Sequence, residues 1–229
     1  MGLFDKLINR NVLYYPGCLS KYARKEISEN YQQILRKLGI NFITLEAIEL
    51  CCGSPALNAG YAKDFEELKQ KNIEIFKKFG IGKIITACPA CYKIFSEHYK
   101  EIKIEYITQT IMKYINRLDI KYNEKIAYHD PCHLGRGSNI YQEPRKILEA
   151  LGFTIVEFDK NKENSFCCGG GAGLKSNHPE IANNIARLRL MQSKVKKIVT
   201  TCPLCYAHLK ENANDRYEVY ELSEFLKEF

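Results

Sequence analysis

The sequence predicts an α/β protein with mainly parallel sheets, built as two tandem copies of one unit. Three observations lead there. The ten cysteines of the 229-residue chain fall into two sets of five. Cys18, Cys51, Cys52, Cys88 and Cys91 are matched by Cys132, Cys167, Cys168, Cys202 and Cys205, at offsets of 114, 116, 116, 114 and 114 residues. The surrounding residues repeat as well. Ile84-Ile85-Thr86-Ala87-Cys88-Pro89-Ala90-Cys91-Tyr92 aligns with Ile198-Val199-Thr200-Thr201-Cys202-Pro203-Leu204-Cys205-Tyr206, and Cys51-Cys52-Gly53 with Cys167-Cys168-Gly169. Finally, short β-rich runs alternate with helix-period stripes, the pattern of strand–helix–strand units on a parallel sheet. The chain therefore reads as an internal duplication joined near Leu118–Glu124. An extension over residues 1–12 precedes a first domain over 13–120 and a second over 121–229.

The elements follow in order. Val12–Tyr15 is a short strand. Ile27, Tyr31, Ile34, Leu35 and Leu38 recur at helical spacing, and Gly39 ends that helix. Asn41–Leu45 is strand-like. Phe65, Leu68, Phe76 and Phe79 mark a second helix closed by Gly80. Lys83–Ala87 is a strand, followed by a helix from Pro89, a good first-turn residue. Ile104–Ile107 and Thr110–Arg117 add a strand and a helix. In the second copy Lys125–His129, Thr154–Phe158, Lys196–Thr200 and Tyr217–Tyr220 are the strands, and Pro144 and Pro179 suit first helical turns. Cys18, Cys51, Cys88, Cys132, Cys167 and Cys202 each follow an expected strand. Ligands of open α/β sheets gather at the carboxyl ends of the strands, so each set of five should converge on one sheet edge.

Composition narrows the chemistry. A chain this long forms one large domain or two of about 100–115 residues and needs no disulfide staples. Cysteine is about 4% of the residues, below the 8–10% of small secreted scaffolds. Met1–Lys6 lacks a signal-peptide pattern and, with Lys at position 6, a myristoylation pattern. No run of about 18 apolar residues exists, so no membrane span is expected. A cytoplasmic location follows as the expectation, where cysteine-rich chains do metal or redox work. The net charge of +7 comes from helix faces where Lys and Glu alternate, as in Lys63–Lys69. The densest basic run, Lys194, Lys196 and Lys197, is too short for a nucleic-acid patch. A modest positive field suits an acidic partner or an anionic substrate.

Four chemistries compete for five converging cysteines. Disulfides are disfavoured in the cytosol, and the vicinal pair would close only a strained ring. Structural zinc wants four ligands, typically in paired Cys-x-x-Cys elements, and five thiolates over-supply it. A thioredoxin-like dithiol fits Cys88-Pro89-Ala90-Cys91 and Cys202-Pro203-Leu204-Cys205 but leaves three cysteines of each set unexplained. An iron–sulfur cluster spreads several irons over a few ångströms and prefers thiolates, so adjacent cysteines can reach different irons. It accounts for more of the cysteines than the others, although a standard cubane needs only four.

The duplicated Cys, Cys-Cys-Gly, Cys-Pro-x-Cys pattern resembles the cysteine-rich CCG domain pair of heterodisulfide reductase B and D subunits. It is also similar to iron–sulfur subunits of glycolate oxidase, lactate utilisation systems and anaerobic glycerol-3-phosphate dehydrogenase. The resemblance runs from about Leu13 to the C-terminus. It is densest at Tyr128-His129-Asp130-Pro131-Cys132-His133-Leu134-Gly135-Arg136, Phe166-Cys167-Cys168-Gly169-Gly170-Gly171 and Cys202–Cys205. It implies two [4Fe-4S] clusters of non-cubane type, each held by the five cysteines of one set, with a disulfide substrate cleaved between them. Zinc at one site stays open as an alternative. The fused ferredoxin-type motif of several family members is absent. The resemblance therefore implies a ferredoxin-like iron–sulfur partner subunit, itself served by a flavoprotein. Gly169-Gly170-Gly171-Ala172-Gly173 lacks the Lys-Ser/Thr of a phosphate loop and the spacing of a dinucleotide fingerprint. These glycines are expected to let backbone approach a cluster.

His129 and His133 flank Cys132 and are the candidates for a proton-donating or hydrogen-bonding role, since disulfide reduction consumes protons. His98 and His208 are expected on helix surfaces, and His178 at a helix start. Lys21, Arg24, Arg136 and Lys175 are candidates to hold an anionic substrate, against the alternative of ordinary solvated charges. Tyr14, Tyr15 and Tyr128 should pack in the core and shield the sites. Leu3, Phe4, Leu7 and Ile8 could form an amphipathic turn for self-packing or partner docking. The reading is a cytoplasmic oxidoreductase subunit that reduces a small disulfide with electrons from a partner. Two alternatives remain: an electron-transfer subunit of a 2-hydroxy-acid dehydrogenase, and a zinc-stabilised interaction module.

Overall fold

Two parallel sheets, one per repeat, carry the chain in a computed structural model that describes residues 11–228. Leu3, Phe4, Leu7 and Ile8 lie outside the described residues. The first sheet has the order β1 (Asn11–Tyr15), β2 (Ile81–Thr86), β3 (Lys103–Tyr106). The second has the order β5 (Thr154–Ile155), β4 (Lys125–His129), β6 (Lys197–Thr200), β7 (Glu218–Glu221). Every pairing is parallel. The strands are Ile-, Val- and Tyr-rich because helices cover both faces of such sheets.

The principal helices are α1 (Lys25–Lys37), α2 (Ala62–Lys78), α3 (Pro89–His98), α4 (Ile107–Met112), α5 (Gln142–Ala150), α6 (Pro179–Met191), α7 (Pro203–Asn212) and α8 (Ser223–Leu226). The stripe expected on α1 is the buried face: Ile27, Tyr31, Ile34 and Leu35 have no exposure. Each such side chain contributes roughly 1.5–3 kcal/mol by leaving water. Gly39, at φ +73°, closes the helix in the left-handed conformation.

Two expected strands are shorter than their sequence suggests. In place of a strand over 41–45, Ile43 makes a single parallel bridge to Leu13. The chain then leaves the sheet edge for a turn at Glu46–Ile48 that leads toward Cys51. The strand expected over 154–158 stops at Ile155. Beyond it Glu157 turns to the guanidinium of Arg145, and the Phe158 ring lies 3.6 Å from that of Arg189. With the Ile43 bridge counted as an edge, both repeats share one arrangement, in which the second element lies outside the first strand and the third inside it.

A single apolar cluster joins the repeats. It includes Tyr14, Tyr31 and Tyr106 of the first and Tyr128, Leu222 and Leu226 of the second. A smaller cluster around Tyr15, Phe76 and Phe95 belongs to the first repeat alone. Polar contacts cross the same interface. The Tyr106 hydroxyl lies between the carbonyls of Ala87 and Thr201, residues that directly precede Cys88 and Cys202. One tyrosine thus holds together the two strand ends that carry the Cys-Pro-x-Cys motifs.

Candidate metal centres

Chain topology brings the cysteines together. The connection reverses direction between β1 and β2, and again between β4 and β6, which makes those pairs the switch points where open α/β sheets bind ligands. Cys18 follows β1 and Cys88 follows β2; Cys132 follows β4 and Cys202 follows β6. The vicinal pairs arrive on loops, Cys51-Cys52 after the turn at Glu46–Ile48 and Cys167-Cys168 after a matching turn at Lys162–Asn164. Cys88 and Cys202 are extended N-cap residues, and Pro89 and Pro203 start α3 and α7.

Within each repeat the sulfurs form one connected set. Hydrogen-bonding contacts run from Cys18 to Cys51, Cys52, Cys91 and Cys88 in turn. The second set runs from Cys132 to Cys167, Cys168, Cys205 and Cys202. Sharing protons so closely splits the thiols into acceptors and donors. Hydrogen bonds from Cys18 and Cys52 pull Cys51 down to about 2, helped by the Gly53 backbone N–H, 3.5 Å from its Sγ. Cys167 is likewise held low by Cys132 and Cys168, with the Gly169 N–H 3.3 Å away. Their donors move the other way: Cys18, Cys52, Cys91, Cys132 and Cys205 are raised, and Cys168 reaches about 12. Cys88 is lowered by Cys91 and by backbone N–H groups at the start of α3. Each set opens at one edge. Cys18 and Cys167 are exposed, whereas Cys52, Cys91, Cys168, Cys202 and Cys205 are buried.

Glycine is required where backbone crowds these sulfurs. Gly17, at φ +81°, would place a Cβ 2.9 Å from Cys88 Cβ and 3.3 Å from Cys91 Sγ. Gly53 and Gly169, at φ +90° and +85°, occupy equivalent left-handed positions after the vicinal pairs. Their neighbours are protein groups: a Cβ on Gly53 would lie 2.6 Å from Phe65 Cδ2, and one on Gly169 2.8 Å from the Ala182 carbonyl. Gly170 is similarly close to His208. The second motif therefore needs these glycines to seat on α6 and α7.

The candidate side chains beside the cysteines separate clearly. His133 is half-buried, with Nδ1 3.5 Å from Cys132 Sγ. His129 is 1% exposed, and a ring nitrogen lies within 4.8 Å of the sulfurs of Cys168 and Cys205. Burial, with Arg189 beside it, lowers His129 to about 3. Three of the four candidate cations serve the protein itself. Lys21 binds the Glu46 carbonyl and pairs with Glu49, Arg136 donates to the Ser165 carbonyl at 2.6 Å, and Lys175 pairs with Glu211. Arg24 lies over the Tyr206 ring at 5.9 Å. His98 is partly exposed against Phe65, and His178 caps α6. His208, expected on a helix surface, has no exposure and contacts the Ala182 carbonyl at 3.1 Å, because α7 turns that face onto α6. Tyr14, Tyr15 and Tyr128 are core residues.

Arg145 and Arg189 have no signal in the sequence, where both look like surface charges on helices. Arg145 is 5% exposed and bidentate to Asp130, at 2.8 and 2.9 Å, while Nε reaches Glu157 at 2.6 Å. The Lys162 N–H also donates to Asp130. The loops leading to Cys132 and Cys167 are thereby tied at one carboxylate.

Comparison with known proteins places this geometry in context. The family model described as the CCG cysteine-rich domain matches twice, at residues 12–96 and 126–210. An uncharacterized iron-sulfur protein of Methanococcus maripaludis is 32% identical over 223 residues, covering 95% of this chain and 42% of that protein. One subunit of the dihydromethanophenazine:CoB–CoM heterodisulfide reductase of Methanosarcina acetivorans is 30% identical, covering 88% of this chain and 54% of its own length. An EtfAB:quinone oxidoreductase of Syntrophomonas wolfei is 29% identical, covering 93% and 34%. The chain thus spans about half or less of the curated relatives it matches. Among the described residues no helix is long and apolar enough to cross a membrane.

Proposed function

The chain belongs to the CCG cysteine-rich domain family, and from that premise we propose that it is an iron–sulfur oxidoreductase subunit that reduces a small disulfide. The observation that carries the reading is the pair of connected five-sulfur sets. Five thiols linked pairwise in one chain exceed the tetrahedron of structural zinc and suit a polynuclear centre whose irons share the ligands. Cys18, Cys51, Cys52, Cys88 and Cys91 would hold one [4Fe-4S] cluster of non-cubane type. Cys132, Cys167, Cys168, Cys202 and Cys205 would hold the other. When bound, such clusters supply the electrons.

Reduction of a disulfide takes two electrons and two protons and releases two thiols. The exposed edges at Cys18 and Cys167 give a substrate access. His133, half-buried beside Cys132, is the group proposed to move a proton at that edge. His129 is too deeply buried for exchange with water and is given a hydrogen-bonding role. Arg24 is the cation left to attract an anionic substrate. Electrons would come from a ferredoxin-like iron–sulfur subunit served by a flavoprotein, in the cytoplasm, where thiols stay reduced. Turnover of organic disulfides with a reduced dye under anaerobic conditions tests this reading, with release of two thiols per disulfide as the expected result.

A second reading is supported by the relative named as a quinone oxidoreductase. There both centres would relay electrons for a dehydrogenase, such as one for 2-hydroxy acids, without touching a disulfide. Intact clusters that are reduced and reoxidised by dyes but never release thiols would favour it.

A further inference from the structure

The repeats are alike in their cysteines and in the backbone N–H groups beside them, but they differ at a buried position that ends the first strand of each. Strand register makes His129 the counterpart of Tyr15, since His129 pairs with Thr200 as Tyr15 pairs with Thr86. Tyr15 spends its hydroxyl proton on the Leu50 carbonyl, at 2.7 Å. His129 does not resemble it. Its Nδ1 lies 3.0 Å from Nε of Arg189, while its Nε2 is buried with no partner.

Arginine nitrogens carry protons and only donate. Nδ1 must therefore be the acceptor, and a neutral imidazole that accepts at Nδ1 keeps its proton on Nε2. That proton is the one left for the sulfurs of Cys168 and Cys205, within 4.8 Å of a ring nitrogen of His129. A metal at the His129, Cys168 and Cys205 triad would have to displace that proton.

The setting of Arg189 explains how it can impose this. It is 1% exposed and stacked on Phe158, with Nη1 3.0 Å from both the Lys160 carbonyl and Gln192 Oε1. Nη2 is 3.4 Å from Ser165 Oγ. Among the described residues it forms no ion pair. The carboxylates that face it are Asp130, already paired with Arg145, and Glu157; the sulfurs of Cys205 and Cys168 face it too and become negative when they ligate a cluster. Burying an uncompensated cation is costly, so its counter-charge belongs at the second cysteine site.

We infer that Arg189 is a positioning residue that fixes His129 as a hydrogen-bond donor to the second cysteine site, making that site easier to reduce than the first. Hydrogen bonds to sulfur and nearby positive charge both favour the reduced, more negative state of a cluster. The redox half of this inference rests on the cysteines holding clusters; the tautomer half does not.

Two measurements test it. Two-bond proton–nitrogen spectra of the metal-free chain, labelled with ¹⁵N-histidine, report the tautomer directly. The expected result is a protonated Nε2 on His129 near neutral pH, and a proton on Nδ1 would overturn the inference. Potentiometric EPR on the reconstituted chain reads the second half, with the second-site signal assigned by its loss in Cys167→Ser. Arg189→Met should keep iron and sulfide content but disfavour reduction of the second site by about tenfold, which is ~59 mV for a one-electron couple. The first site should stay unmoved. His129→Phe should give the same shift, and Arg189→Lys should restore part of it. Unchanged second-site potentials in variants that retain their clusters would refute the inference. If Arg189→Met fails to fold, His129→Phe and Arg189→Lys still decide it. A wild-type chain that takes up no iron would defeat the cluster reading instead, leaving the spectra to judge Arg189.

Discussion

The hydroxyl of Tyr31 donates a hydrogen bond to Oε1 of Glu221 at 2.8 Å, across 190 residues of sequence and from one repeat to the other. Glu221 has no exposure, and the Ser223 N–H donates to its Oε2 at 2.7 Å, with the Ser223 side chain a further donor. Burial outweighs these donors and pushes the carboxyl from its ordinary 4.5 up to about 7. A folded-state value above the unfolded one favours the protonated form. Its stabilising contribution is thus complete below pH 4.5 and lost as pH rises through about 7. The loss amounts to roughly 3 kcal/mol at most. Urea unfolding between pH 5 and 8 should show this slope, and Glu221→Gln should flatten it. Tyr31→Phe removes a donor to the carboxylate and should steepen it. An equal slope in wild type and Glu221→Gln would show that this carboxyl does not titrate with folding.

Arg145 offers a second test. Its removal leaves Asp130 buried without its bidentate partner, and breaking such a pair costs about 3–5 kcal/mol. Because Asp130 also receives the Lys162 N–H, the damage should spread to both loops of the second site. Arg145→Met is expected to lower stability by that amount and to lose metal from the second set of cysteines only. Metal lost equally from both sets would contradict a local role.

The glycines after the vicinal cysteines can be separated by what they meet. Gly39→Ala changes a left-handed residue with nothing within 4 Å, so only the backbone preference of ~1–2 kcal/mol is lost. Gly169→Ala carries the same penalty and drives Cβ to 2.8 Å from a helix carbonyl, which a backbone atom cannot yield easily. It should be clearly the more destabilising of the two by thermal unfolding. Gly53→Ala should fall between them, since its obstacle is the edge of the Phe65 ring.

The Tyr106 hydroxyl joins the ends of the two Cys-Pro-x-Cys strands. Tyr106→Phe should cost about 1 kcal/mol, the net worth of an ordinary hydrogen bond, with some excess for the carbonyl left unpaired. Hydrogen exchange at the amides of Cys88 and Cys202 should quicken together. Acceleration at only one would show that the tyrosine does not couple the repeats.

Features set by local pattern are legible in the sequence. The five-plus-five register, the α/β alternation, the stripe on α1 and the proline starts of α3, α6 and α7 all recur in the structure. Regions governed by tertiary contacts are not. Residues 41–45 and 156–158 have strand-like composition, yet each leaves the sheet for a turn that serves the vicinal cysteines. Arg189 and His129 are 60 residues apart, and an arginine on a helix with both apolar and charged residues looks solvated. No spacing rule links a buried guanidinium to a histidine on another element. His208 lies inside rather than on the surface for the same reason, since a helix that packs on a second helix can bury a polar residue when a carbonyl meets it.

The central claim is that both five-cysteine sets hold iron–sulfur clusters. Anaerobic reconstitution followed by iron and acid-labile sulfide counts, with a low-temperature EPR spectrum, tests it most directly. The expected result is iron and sulfide matching two four-iron clusters per chain, with Cys51→Ser and Cys167→Ser each abolishing one EPR-active centre and leaving the other. A colourless chain that binds zinc instead, or a Cys51→Ser variant with full iron content, would contradict it.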